Sequence, residues 1–149
     1  MRDFTRILQD YCSANNISYH YGRMSNLNLL RSDLVDGQVY LLHEASPRRA
    51  IMNTTKTLIE KYEFVGKFFL VVKSNLDQHY FNEKQGAESD SKYEANIEPL
   101  LNLFESIGNA LLGCGDDYEV NQWECIDVVN VLDVNKDGVL VTYNVTSYE

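Results

Sequence analysis

The chain is predicted to be an α+β protein, with a mainly antiparallel sheet, one or two packed helices and a long C-terminal β-hairpin. Alternating apolar and polar residues, typical of strands, fill the middle and the C-terminal end. Two stretches have helical spacing instead. The strands do not alternate strictly with the helices, which argues against a doubly wound α/β fold. At 149 residues without an internal repeat or linker, residues 1–149 are expected to form a single domain.

The first part of the chain is predicted to form one helix and two strands. Residues 2–14 carry apolar side chains at helical spacing. Residues 17–21 and 38–45 alternate and predict strands, the second with His43 on the same face as two apolar residues. Residues 26–34 could contain a short helical turn. The spaced apolar residues of the helix are Phe4, Ile7, Leu8 and Tyr11.

The middle of the chain is predicted to be rich in strands. A break is expected at residues 46–49, because the proline there cannot donate to a strand ladder. Residues 50–62 are expected to be extended, although 57–62 could also form a helix. Residues 63–74 predict a strong strand with apolar residues on both faces, so both faces should be covered. Gly66 inside it indicates a bulge or a close backbone approach.

A polar stretch and a second helix follow. Residues 75–95 are polar, and 85–91 are the expected mobile loop. Residues 96–112 carry one apolar stripe and predict the clearest helix of the chain. Its expected N-cap, first-turn proline and terminating glycine are, in order, Asn96, Pro99 and Gly113.

The C-terminal segment predicts one long β-hairpin. Residues 120–132 form an alternating first arm, residues 135–138 have turn chemistry, and residues 139–145 form an alternating second arm. Such a ribbon is longer than a small domain needs to close its own core. It therefore suggests a surface that assembles with other copies.

Composition limits the classes of function. The net charge of −9 argues against wrapping nucleic acid through phosphate contacts, which needs clustered Lys and Arg. Three cysteines without CxxC spacing favour buried thiols in a reducing compartment. The N-terminus has no signal-like apolar run, and no stretch approaches the roughly 20 apolar residues of a membrane helix.

One segment resembles the first half of a calcium-binding loop. Such a loop places oxygens at positions 1, 3 and 5, a glycine at 6 and a bidentate Glu at 12. Position 12 is Asn144, and the flanks predict strands, so a hairpin turn is favoured over a metal site. The calcium-like residues are Asp133, Asn135 and Asp137, followed by Gly138.

No catalytic, cofactor or metal site is predicted elsewhere. His20, His43 and His79 are far apart in the chain, and His43 has the pattern of a packed histidine. The pair Arg48-Arg49 could bind phosphate or an acidic partner, but a solvated turn is favoured.

The closing segment carries a resemblance to a known class. It is similar to the C-terminal hairpin of tail-terminator and head–tail connector proteins, the neck or tail proteins of tailed phages and prophages of Bacteroides-type bacteria. The order of elements is compatible over most of the chain. The residues that carry the resemblance are Trp123, Asn130, Asp133-x-Asn135-x-Asp137-Gly138-Val139, Val141, Tyr143 and Val145.

The resemblance implies a structural virion protein without an active site. Such a protein is made in the host bacterial cytoplasm and forms a homo-oligomeric ring, usually of six copies, at the phage neck or tail top. The ring joins the connector below the portal to the tail tube, and DNA passes through its lumen without specific binding. An acidic chain fits such a lumen. The expected assembly interface comprises Trp123, Asn130, Asp133, Asp137, Gly138, Val141 and Tyr143.

Two alternatives remain from the sequence. The first is a small non-enzymatic ligand- or partner-binding module of a bacterial cytoplasm, with aromatic strands lining a pocket. The second is an enzyme of unrecognised chemistry. It predicts a cleft that joins at least two of the three histidines and the carboxylates.

Overall fold

A computed structural model describes residues 3–23, 35, 37–73, 93–113, 117–131 and 136–148, and these confirm the α+β fold class. They form two α-helices, one π-helical turn and a six-stranded sheet that is mostly antiparallel. In chain order the elements are α1 Phe4–Ala14, β1 Ser18–Gly22, β2 Tyr40–Glu44, β3 Arg48–Met52, β4 Ile59–Lys73, the π-turn Tyr93–Ile97, α2 Glu98–Leu112, β5 Tyr118–Val131 and β6 Lys136–Tyr148.

The sheet is organised around the two long strands β4 and β6. Its order is β1-β2-β4-β6-β5, and β3 also pairs with β4. Strand β4 pairs with β6 along its length, while its other side pairs first with β3 and then with β2. Only β1 and β2 are parallel among the described pairs. The 15 residues of β4 are therefore long enough to hold two successive short strands on one side.

A one-residue bulge separates β2 from β3. His43 pairs with Phe68 and Arg48 pairs with Phe64, so four residues on one side face three residues of β4. Gly66 lies opposite the bulge, and a Cβ there would lie 2.6 Å from the Ser46 side chain. The close approach predicted at Gly66 is confirmed. The predicted break is shorter than expected, because strand β3 already begins at Arg48.

Both helices lie on one face of the sheet and form the main core with it. The buried residues on this face include Phe4 of α1, Leu100 of α2 and Val141 of β6. Burying each large apolar side chain contributes on the order of 1.5–3 kcal/mol before entropy is counted. The opposite face carries a second, smaller cluster, so the prediction that β4 is covered on both faces is confirmed for its C-terminal half. That cluster comprises Tyr40, Leu42, Phe69 and Val71.

The helix boundaries agree with the sequence except at one cap. Asp3 caps α1 by accepting a hydrogen bond from the Thr5 N–H at 3.0 Å. The predicted cap Asn96 is wrong, because it lies in the π-turn and its amide donates to Asp137 Oδ2 at 3.1 Å instead. Gly113 occupies the C-cap of α2, as predicted, and a proline lies in its first turn.

The predicted position of the hairpin turn is wrong. Residues 136–138 belong to β6, where Lys136 pairs with both Lys73 of β4 and Val131 of β5. The turn-like composition is overridden because β4 supplies a pairing partner for these residues. Strand β6 lies between β4 and β5, so it is an interior strand of the sheet, while β5 is an edge strand. The hairpin is therefore part of the sheet and not a free ribbon.

Several predictions concern residues outside the described ranges. They are the helical turn at 26–34, the loop at 85–91, Cys114, His79, Asp133, Asn135 and the side chain of Asn130.

Candidate functional site

Most residues of the predicted assembly interface are buried within the subunit. Val141 is 0% exposed and Tyr143 is 1% exposed, and both lie in the core between the sheet and the helices. Asp137 and Gly138 are also buried. A second copy cannot contact these four residues on the surface. An interface between copies therefore has to be built from other residues.

Trp123 is half-buried against helix α2. Its ring stacks on Phe104, with centroids 5.7 Å apart and planes 11° apart, and its Nε1 donates to the Phe104 carbonyl at 3.0 Å. Gly108 makes room for the indole, since a Cβ there would lie 2.7 Å from Trp123 Nε1. Trp123 is therefore an anchor inside the subunit.

The calcium-like segment is placed in part. Asp137 lies in β6, buried, and one carboxylate oxygen accepts from Asn96. Asn144 pairs with Val65 and Gln122 in the ladders of the same strand. Within the described ranges, no group of three or more His, Cys, Asp or Glu side chains could hold a metal ion.

His43 is the centre of a buried hydrogen-bond network. Its Nδ1 lies 2.7 Å from the Tyr19 hydroxyl, and its Nε2 lies 2.7 Å from the Tyr143 hydroxyl. The Tyr143 hydroxyl also lies 3.1 Å from Ser46 Oγ. Because a neutral imidazole has one donor and one acceptor nitrogen, one tyrosine donates to it and the other accepts. Both nitrogens are occupied, and His43 is the packed histidine that its strand pattern predicts.

Burial sets the protonation of this network. Burial, with a smaller effect of nearby Arg48, lowers the pKa of His43 to about 4, while Asp3 acts in the opposite direction. Burial also raises the pKa of Tyr143 to about 12 and raises the pKa of Tyr19. The network is therefore neutral at neutral pH, which suits a structural link between β1, β2 and β6.

His20 does not join this network. It pairs with Leu42 in the β1–β2 ladder, whereas Tyr21 pairs with His43, so the two histidines project from opposite faces of the sheet. His20 instead contacts Ser18 Oγ at 3.0 Å and stacks on Tyr40. The shared cleft that the enzyme alternative requires is not formed by these two histidines.

A shallow groove lies at the bulge between β2 and β3. Its volume is about 360 Å³, and its lining is mostly apolar. The Ser46 end of the His43 network reaches this groove, and an ion pair between Lys67 and Glu44, 3.4 Å long, lies at its wall. The lining residues are Glu44, Ala45, Ser46, Pro47, Val65, Gly66, Lys67 and Thr142.

Strand β5 forms one edge of the sheet. It is 14 residues long, it pairs with β6 on one side, and in the described part of the chain no strand lies on its other side. Ile126 on this strand is 64% exposed. The ladder to β6 is interrupted between Val120 and Gln122 and again between Val128 and Val131. Between these interruptions lies a regular stretch of exposed edge.

Strand β3 forms part of the opposite edge. It pairs with β4, and among the described residues no strand covers its far side. Four of its five residues are exposed. The Arg49 side chain is 71% exposed and contacts Glu63 at 2.7 Å. The basic pair predicted to be a solvated turn therefore lies on a free edge strand.

Neither described helix is long and apolar enough to cross a membrane. Comparison of the chain with protein-family models, with curated proteins and with solved structures finds no match.

Both edge strands lie in segments whose charged residues have a single sign. The hydrophobic pattern from which the strands were predicted does not include this feature. Residues 117–131 contain four acidic residues and no Lys or Arg. Residues 45–59 contain three basic residues and no Asp or Glu. Charge of a single sign along a strand is a sequence feature, but its position at a sheet edge required the strand order.

Proposed function

We propose that this chain is a non-enzymatic structural subunit that assembles with further copies through the free edge of β5. The observation that carries the proposal is the length of that edge, 14 residues. An unpaired edge strand presents a row of N–H and C=O groups that can pair with another chain. Edges that must stay unpaired are commonly short, bulged or protected by Lys. Strand β5 is long and carries no Lys, and a regular stretch from Gln122 to Val128 remains between its two bulges.

The more specific proposal is a ring at the neck or tail top of a phage. Such a ring would join the connector to the tail tube and let DNA pass. The α+β fold with a long C-terminal hairpin supports it, together with the sequence resemblance of that hairpin. The net charge of −9 is compatible with a lumen that repels DNA phosphates. Acidic residues facing outward in an imaged ring would contradict the lumen proposal.

The edge proposal is tested by placing a charge on β5. Ile126→Lys introduces a lysine in the regular stretch of the edge, where a neighbouring strand would bury it. Leu112→Lys is the matched control, because Leu112 is 63% exposed, compared with 64% for Ile126, but lies at the end of α2. Light scattering should show loss of oligomers only for Ile126→Lys. Equal oligomer mass in both variants would contradict the proposal.

A second candidate function is a small ligand- or partner-binding module. The groove of about 360 Å³ at the β2–β3 bulge favours it. A monomeric chain whose Gly66 and Thr142 amide resonances shift on addition of a small apolar ligand would support this function. Unchanged resonances at these two positions would contradict a ligand-binding function for the groove.

A further inference from the structure

We propose that β5 of one copy pairs with β3 of the next copy, so that the contact between copies is heterologous. This inference rests on the proposed function, because it names the partner of the β5 edge. The proposed partner of β5 is the free edge of β3 in the next copy, and a symmetric pairing of β5 with β5 is excluded.

Charge is the first argument. The β5 segment carries only acidic residues among its charged side chains, and the β3 segment carries only basic ones. A β5–β5 pair would place carboxylates beside carboxylates, which is destabilising across strands, whereas a β5–β3 pair joins opposite charges. The residues concerned are Glu119, Glu124 and Asp127 on β5 and Arg48 and Arg49 on β3.

The direction of the side chains is the second argument. Arg49 pairs with Glu63, and Glu63 pairs with Thr146, which in turn pairs with Glu119. Directly paired residues project from the same face, so Arg49 and Glu119 share the face opposite the helices. Glu124 shares it too, because it pairs with Thr142 on the same side of β6. A continued sheet would therefore place Arg49 on the face that carries Glu119 and Glu124, whereas Asp127 pairs with Val139 on the helix face.

The existing contacts of Arg49, Glu119 and Glu124 do not oppose the pairing, whereas Arg48 lies on the helix face and contacts Asp3 at 3.3 Å. Arg49 contacts Glu63, Glu119 accepts from the Tyr148 hydroxyl at 2.6 Å, and Glu124 accepts from Gln122 at 2.8 Å. All three contacts lie at the solvent-exposed surface, where ion pairs and hydrogen bonds contribute little and exchange readily. A neighbouring strand can therefore recruit the same side chains.

Heterologous contacts have a consequence for assembly. Each copy has one β5 edge and one β3 edge, so every copy can bind a neighbour on both sides. Such contacts close into a ring when the rotation between copies allows it. A symmetric β5–β5 contact would stop at a dimer.

The test uses two blocked variants of the full chain. Ile126→Lys/Glu124→Lys blocks β5, and Arg48→Glu/Arg49→Glu blocks β3. Each variant alone should be monomeric by light scattering, and an equal mixture should form a heterodimer and nothing larger. In the mixture one variant still offers β3 and the other still offers β5. Far-UV circular dichroism checks that each variant is folded, and Arg49→Glu alone replaces the double variant if Arg48 is needed for folding.

The outcomes separate this inference from the proposed function. If the β3-blocked variant still assembles like the unmodified chain, or dimerises through β5 alone, the β5–β3 pairing is wrong while assembly through β5 stands. If Ile126→Lys assembles like the unmodified chain, both proposals fail. Restored assembly when Glu124→Arg is added to Arg49→Glu would support a contact between these two positions.

Discussion

His43 shows how burial changes the chemistry of a single residue. Its pKa in the folded chain is about 4, below the ordinary value of 6.5, because burial disfavours the charged imidazole. The unfolded chain therefore takes up this proton at a higher pH than the folded chain does. The contribution to stability is fully present above about pH 6.5 and is lost as the pH falls towards 4.

We expect acidification from about pH 7.5 to about pH 4 to cost about 3 kcal/mol of unfolding free energy through His43 alone. Urea unfolding of the unmodified chain and of His43→Gln at both pH values measures this contribution. The carboxylates titrate in both proteins, so the difference isolates the histidine. An identical pH dependence in the two proteins would show that His43 is not the group responsible.

Gly138 shows why a glycine can be needed inside a strand. A Cβ at this position would overlap the Leu70 carbonyl and lie 2.9 Å from Val71 Cα, so the obstacle is backbone of β4. We expect Gly138→Ala to destabilise the chain by about 3 kcal/mol, at the upper end of typical overpacking costs. Gly22→Ala is the control, because nothing lies within 4 Å of a Cβ there. Equal unfolding midpoints for the two variants would contradict this account.

The residue scale also shows where sequence reasoning stops. From the sequence, Gly138 was expected in a turn and Gly66 at a close approach. Gly66 does lie at a close approach, whereas Gly138 lies within strand β6. Turn chemistry depends on local neighbours. The close approach of β4 to Gly138 depends on a pairing between residues about seventy positions apart, which no local pattern reports.

Helix α2 packs on the sheet through its buried apolar side chains and through one aromatic contact that includes a hydrogen bond. Trp123 stacks on Phe104 and donates to its carbonyl. We expect Trp123→Phe to retain the stacked ring but lose the hydrogen bond, which lowers the free energy of unfolding by about 1 kcal/mol. Chemical unfolding followed by circular dichroism measures this loss. Trp123→Ala should cost more, and a Phe variant as unstable as the Ala variant would show that the hydrogen bond dominates.

Periodic patterns predicted the existence of most elements but not their pairing. The apolar stripe of α2 and the two-sided apolar pattern of β4 are strong local signals, and both elements are present. The N-cap predicted at Asn96 is wrong, because its amide has a tertiary partner, Asp137. The parallel pairing of β1 with β2 was also missed, since alternation gives a strand no direction.

At the scale of the whole molecule, local patterns did not predict which residues of the hairpin are exposed. The hairpin residues were expected to form a surface between copies, but Val141 and Tyr143 lie in the core. Which strand of a hairpin is central and which is an edge depends on the order of the whole sheet. In the described part of the chain that order places β5 and β3 at sheet edges, and their opposite charges are the basis of the proposed contact between copies.

The central claim is that this chain assembles with copies of itself. The most direct measurement is light scattering of the unmodified chain over a series of increasing concentrations. We predict a discrete species whose mass is a multiple of 17.2 kDa and whose population rises with concentration. A mass of 17.2 kDa at every concentration, up to the highest at which the chain stays dissolved, would contradict the account.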